Sequence, residues 1–221
     1  MKMTTTFAAL ALAGSAFFSS QAFAADNVWY ENYPWGDLAD ATDYAEWNTF
    51  VGRRDATPQY GSNGYVNAQA GVFVTSTGNL YHFTNNDATY NFQLTSIGAV
   101  GDVFDVYLKV KTNGSTFLPT ATLDGVSATK VTQFFDIVEF EGMGSGYVEE
   151  AYWVWQDVTI TSVNQVFNFN AIAKSHVGLD QLALATVAVA AVPEPSAYGM
   201  MAIGLGILGF MGSRSRRKNI A

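Results

Sequence analysis

The side chains able to do chemistry are few in kind. His82 and His176 are the only imidazoles and cysteine is absent. A zinc site takes three or four N, S or O ligands, so these two histidines would need a carboxylate brought from elsewhere; the expectation is a surface or rim position for both. Without cysteine there is no disulfide, no thiolate ligand and no cysteine nucleophile. The G-x-S-x-G elbow, the P-loop and H-E-x-x-H are missing as well. Carboxylates are plentiful, and the sets Asp136/Glu139/Glu141 and Glu149/Glu150/Asp157 contain pairs of the kind a glycosidase uses. Acid and base roles require environments that push two pKa values apart, and linear spacing does not supply them. The sequence therefore predicts a solvated acidic face and no catalysis. Asp37, Asp40 and Asp43 recur every three residues but do not fit the D-x-[DN]-x-[DN]-G loop. Calcium held by loop carboxylates and carbonyls is the one cofactor left open, with no ligand set singled out.

Aromatic residues gather at Trp29, Tyr30, Tyr33 and Trp35, and again at Tyr152, Trp153 and Trp155. In a strand Trp153 and Trp155 share a face. If exposed, that pair would stack on sugar rings; if buried, it fills a core, and core filling is the stronger expectation. Gly204-Leu205-Gly206-Ile207-Leu208-Gly209 matches G-x-G-x-x-G by letter, yet it follows no strand and lacks an acidic partner, so the dinucleotide reading fails. Asn113-Gly114-Ser115 reads as a turn.

Period-two alternation dominates the middle of the chain. In residues 103–111, Phe104, Val106, Leu108 and Val110 fall on one face and Asp105, Tyr107, Lys109 and Lys111 on the other, which predicts a half-buried antiparallel strand. Residues 65–74, 79–83, 90–95, 129–135, 147–160, 165–172 and 179–189 show the same habit. Turn signals such as Asn85-Asn86-Asp87, Thr112-Asn113-Gly114-Ser115 and Leu123-Asp124-Gly125 separate them. One helix is expected over residues 38–50, where Tyr44, Trp47 and Phe50 step by three. The expected fold is all-β: an antiparallel β-sandwich, jelly-roll-like, spanning residues 25–190.

Both ends read as addresses. Residues 1–24 combine Lys2, an apolar run and the small residues Ala22 and Ala24, the three parts of a signal peptide cleaved after Ala24. At the other end, Pro193-Glu194-Pro195 lies in a linker over 191–196, because two prolines so close continue neither strand nor helix. Residues 197–213 are uncharged and Gly-rich, and residues 214–221 contain Arg214, Arg216, Arg217 and Lys218. The uncharged stretch rises about 24 Å, short for a hydrocarbon core of about 30 Å, so bilayer thinning or its flanks complete the span. The basic tail predicts a cytoplasmic C-terminus with the domain outside.

The order Pro-Glu-Pro, Gly-rich apolar helix and Arg-rich tail resembles the PEP-CTERM sorting signal of exopolysaccharide-producing Gram-negative bacteria. That resemblance implies an exosortase-type membrane protease as partner. It implies a membrane-anchored precursor exported through the inner membrane, whose mature form resides at the cell surface or in the extracellular matrix. The net charge is −8 overall, and residues 26–192 hold six basic against eighteen acidic residues. Such a field opposes nucleic-acid binding. A non-catalytic surface or matrix protein is the leading expectation. A carbohydrate-binding module for exopolysaccharide, through Trp153/Trp155 or the Trp29–Trp35 cluster, is the alternative, and a glycoside hydrolase or lyase stands behind both.

Overall fold

The computed structural model describes residues 29–140 and 144–189, together with Ile203 and Leu205. Fourteen strands and one 3-10 turn, Leu38–Asp40, make up the described part. The strands are β1 (Asp43–Trp47), β2 (Arg54–Asp55), β3 (Tyr60–Gly61), β4 (Gly64–Ala68), β5 (Val72–Val74), β6 (Leu80–His82) and β7 (Ala88–Ile97). They continue with β8 (Val103–Gly114), β9 (Phe117–Leu123), β10 (Val126–Thr129), β11 (Val131–Phe140), β12 (Gly144–Thr159), β13 (Asn164–Ala173) and β14 (Gly178–Ala188). All pairings are antiparallel. One sheet runs β11-β12-β8-β14-β1-β3, with the β5–β6 ribbon joined to β14; the other runs β10-β9-β13-β7-β4-β2.

From β7 onward the chain passes repeatedly between the sheets, and β14 closes the path by inserting between β1 and β8. Alternate residues of both sheets meet in one apolar interior that includes Trp47, Phe92, Leu108, Phe117, Trp153, Phe167 and Phe169. The predicted inward set Phe104, Val106, Leu108 and Val110 is buried as a unit. The β9–β10 hairpin turns through Asp124 and Gly125, whose φ values of 48° and 87° suit a two-residue primed turn, as the Leu123-Asp124-Gly125 signal predicts.

Two expectations are corrected. Residues 38–50 are not a helix: only the short 3-10 turn forms, and β1 follows it. The operative spacing there is two, since Ala45 and Trp47 enter the interior while Tyr44 and Glu46 face the other way. Trp153 and Trp155 are no sugar platform. They are 0% and 5% exposed, and their indole N–H groups donate to the carbonyls of Pro119 (3.1 Å) and Val126 (2.8 Å). Both are ridge-poles between the sheets. Strand β9 escapes the sequence reading because Pro119 interrupts it; the strand tolerates that proline where its pairing with β13 is irregular.

Residues 1–28, 141–143 and 190–202 lie outside the described residues, as do 204 and 206–221. The expected signal peptide with Ala22 and Ala24, the Pro193-Glu194-Pro195 motif, most of the 197–213 segment and the basic tail therefore fall there. Among the described residues no helix is long and apolar enough to cross a membrane.

Truncating Trp153 to alanine should lower the unfolding free energy by about 3–5 kcal/mol, since it removes a fully buried ring and leaves the Pro119 carbonyl without this donor. Alanine at Val126, 65% exposed, should change it by less than about 0.5 kcal/mol. Denaturant titration of the two variants measures the contrast.

Candidate functional site

Strand β8 does not have the solvated outer face that alternation predicts. Lys109 is 0% exposed and Lys111 is buried, as are Glu46 on β1 and Glu150 on β12. The cover is residues 29–36, which cross the outer face of the eight-stranded sheet as an irregular strap. Trp35, Tyr33 and Trp29 pack there with Tyr44, Tyr107, Ala183 and Ala185 as a second, small apolar layer. Tyr33 stacks on Trp35 at 4.9 Å, and Tyr30 stacks on Phe134 at 4.5 Å. The aromatic cluster singled out in the sequence is thus one body, spent on covering a sheet.

Charged side chains take the place of a neighbouring strand for this strap. Glu150 accepts the backbone N–H groups of Tyr30 and Glu31, the latter at 3.1 Å. Lys109 donates to the carbonyls of Glu31 and Asn32 at 3.0 and 3.1 Å, lies 3.4 Å from Glu150, and sits 4.5 Å from the centre of the Trp29 ring. Glu46 accepts from Tyr33 Oη at 2.9 Å and Trp29 Nε1 at 3.3 Å. Burial raises the Glu46 pKa against these hydrogen bonds and the nearby Lys109 charge, and burial lowers the Lys109 pKa against Glu150. Lys111 is likewise lowered by burial and Asp180 raised, each opposed by the other's charge. The cluster has ion pairs and enclosure but no opening toward a substrate.

The remaining carboxylates of the two expected sets are dispersed. Glu149 points to the opposite face from Glu150, where Lys130 holds it at 2.8 Å and Thr132 donates to it at 3.1 Å. Glu139 accepts from Ser145, Asp136 from the backbone N–H of Ile137, and Asp157 lies in a left-handed position at φ 55°. Glu141 lies outside the described residues. Asp37 and Asp40 cap the 3-10 turn, while Asp43 accepts from the backbone N–H of Ile97. Among the described residues no three histidine or acidic side chains converge to hold a metal ion.

A concave surface lies at the end of the sandwich where the β5–β6 ribbon meets β14. A cleft of about 720 Å³ is lined by Tyr81, Phe83 and His176 on one side, Ser145 and its flanking glycines on another, and Asn79, Asn113, Thr75 and Thr77 between. Phe83 meets the His176 ring edge-on at 5.5 Å, and Tyr81 Oη lies 3.5 Å from His176 Nδ1. His82, by contrast, turns inward and its Nε2 pairs with Thr84 Oγ1 at 2.9 Å. The two histidines do not come together as ligands. Sequence reading missed this cleft because its residues come from four separate stretches; the only local signal is the aromatic alternation Phe73, Tyr81, Phe83.

The raised Glu46 pKa has a testable sign. The folded chain keeps that proton at pH values where the unfolded chain, near 4.5, has lost it, so wild-type stability falls as pH rises through this interval. The melting temperature of Glu46→Gln, taken relative to wild type, should rise from pH 4.5 upward until the raised pKa is passed. A flat difference would place Glu46 in an ordinary solvated setting.

Against known proteins, no curated protein sequence matches the chain. Residues 191–217 match the family described as PEP-CTERM protein-sorting motif. The match covers the Pro-Glu-Pro linker, the uncharged stretch and the Arg-rich cluster in their expected order, and it bears on the tail rather than on the two sheets. The chain thus carries a PEP-CTERM protein-sorting motif at residues 191–217, the mark of an exported, exosortase-targeted protein.

Proposed function

We propose that this is an exported, exosortase-processed surface or extracellular-matrix protein whose jelly-roll-like sandwich is non-catalytic. The observation that carries the reading is the sorting motif at residues 191–217, placed directly after the last strand of the folded domain. The order of strands supports the jelly-roll description: β1-β14-β8-β12 faces β7-β13-β9-β10, with the chain changing sheets at β7–β8, β8–β9, β10–β11, β12–β13 and β13–β14. The carboxylates support the absence of catalysis. Glu150 and Glu149 are committed to structural partners on opposite faces, which weighs against their serving as the paired acid and base of glycoside hydrolysis.

In the precursor, residues 1–24 direct export, residues 197–213 hold the chain in the inner membrane, and Arg214, Arg216, Arg217 and Lys218 stay cytoplasmic. Pro193-Glu194-Pro195 is then the sequence that a membrane-embedded protease recognises, while the bulky sandwich is excluded from its active site. No cofactor or nucleic acid enters this reading. A carbohydrate-binding role is the second reading, and the aromatic cleft beside β6 favours it, in place of Trp153/Trp155.

In a host with an exosortase, the mature chain should end near Pro193–Ser196; in one without it, the chain should keep its tail and remain in the membrane. Changing Pro193-Glu194-Pro195 to three alanines should leave signal-peptide removal intact and block release. Mass spectrometry of surface material checks both outcomes, and recovery of the C-terminus through Ala221 from the exosortase host would show that the tail only anchors.

A further inference from the structure

We infer that the cleft formed by Tyr81, Phe83, His176 and Asn113 is a binding site for a neutral sugar unit of a polysaccharide. The inference rests on the carbohydrate-binding reading above and gives it a place and a ligand chemistry.

Two glycines let the elements at the base of the cleft approach one another closely. At Gly178 an added Cβ would lie 2.0 Å from Asn113 Oδ1, so the Asn113 amide occupies the space a side chain would need. At Gly114, with φ +78°, a Cβ would come within 2.7 Å of the His176 carbonyl. Gly114 ends β8 and Gly178 begins β14, and their missing side chains let the Asn113 amide and the His176 turn pack close beside the cleft. Its volume of about 720 Å³ falls within the range of about 300–1,000 Å³ usual for small-ligand sites.

The lining joins flat rings to neutral polar groups. Phe83 is 67% exposed although it is wholly apolar, and it is held upright between Tyr81 at 6.3 Å and the edge of His176 at 5.5 Å. Phe73, itself 48% exposed, meets Tyr81 at 5.8 Å and extends the aromatic edge beyond the cleft. His176 adopts φ 61°, an uncommon conformation for a residue other than glycine, and that conformation places its ring against Phe83. Across from the rings stand the hydroxyls of Thr75, Thr77 and Ser145 and the amide of Asn113. A pyranose has this same division: an apolar C–H face that stacks on an aromatic ring, and a rim of hydroxyls that pair with amides and hydroxyls.

Charge restricts the ligand further. Among the described residues no Asp, Glu, Lys or Arg lines the cleft. The surrounding domain is strongly acidic, six basic residues against eighteen acidic ones, and Lys109, Lys111 and Lys130 are each paired with a glutamate. A uronate-rich or sulfated polymer would meet net repulsion with no cation in the site to offset it. A neutral polymer meets none.

The full-length protein should be retarded in affinity electrophoresis through gels containing at least one of dextran, mixed-linkage β-glucan or galactomannan, and should run unretarded through alginate. Phe83→Ala removes an exposed ring and should weaken that retention about tenfold, the scale of one lost stacking contact. Ser145→Trp, which fills the cleft from the opposite wall, should abolish it. Unchanged thermal unfolding of both variants keeps the comparison on binding. Retention by a neutral polymer that both variants preserve would overturn the cleft as the site while leaving the carbohydrate-binding reading standing. Retention by alginate alone, or by none of the four polymers, would overturn that reading and this inference with it.

Discussion

The burial of a lysine and a glutamate on adjacent central strands constrains the whole outer side of the eight-stranded sheet. Lys109 and Glu150 have no exposed side-chain surface, and charges taken out of water are tolerable only if paired and hydrogen-bonded throughout. A neighbouring strand could not satisfy them there, because its backbone groups would be consumed within the sheet. The strap of residues 29–36 solves this by staying out of the sheet's ladder: N–H groups of Tyr30 and Glu31 turn to Glu150, and carbonyls of Glu31 and Asn32 turn to Lys109. Removing either partner would strand the other charge and release the strap together.

That arrangement matters for an exported chain without cysteine. A small extracellular domain commonly relies on disulfides, whereas this one relies on two stacked apolar layers, the main interior between the sheets and the smaller one beneath the strap. The strap, residues 29–36, is the cover over the buried charges. The other end of the domain is tied just as closely: β14, the last strand before the sorting motif, lies between β1 and β8 at the centre of the sheet. Both ends of the domain are thereby fixed on one sheet.

The division of aromatic residues follows the same physics. Indoles at Trp153 and Trp155 lie inside because each finds a backbone carbonyl for its N–H group in the opposite sheet. Phe83, with no polar group to satisfy, stays at a rim where only ring contacts hold it.

The sequence alone determined the features written in local order. Strict alternation announced β8, β12, β13 and β14 and the inward face of β8, Leu123-Asp124-Gly125 announced a hairpin, and the composite of prolines, uncharged stretch and basic cluster announced the sorting motif, because each is set by neighbours in the chain. Residues 38–50 misled because Tyr44, Trp47 and Phe50 fit a helical step by accident of composition, and pairing with β14 decided for a strand. Tertiary structure alone decided that Lys109 is buried, that Glu149 and Glu150 part company, that the tryptophan pair is core, and that Tyr81, Phe83, Asn113 and His176 line one cleft. Burial and convergence depend on which strands lie side by side, and strands that meet across 95 residues, as Tyr81 and His176 do, leave no periodic trace of it in the chain.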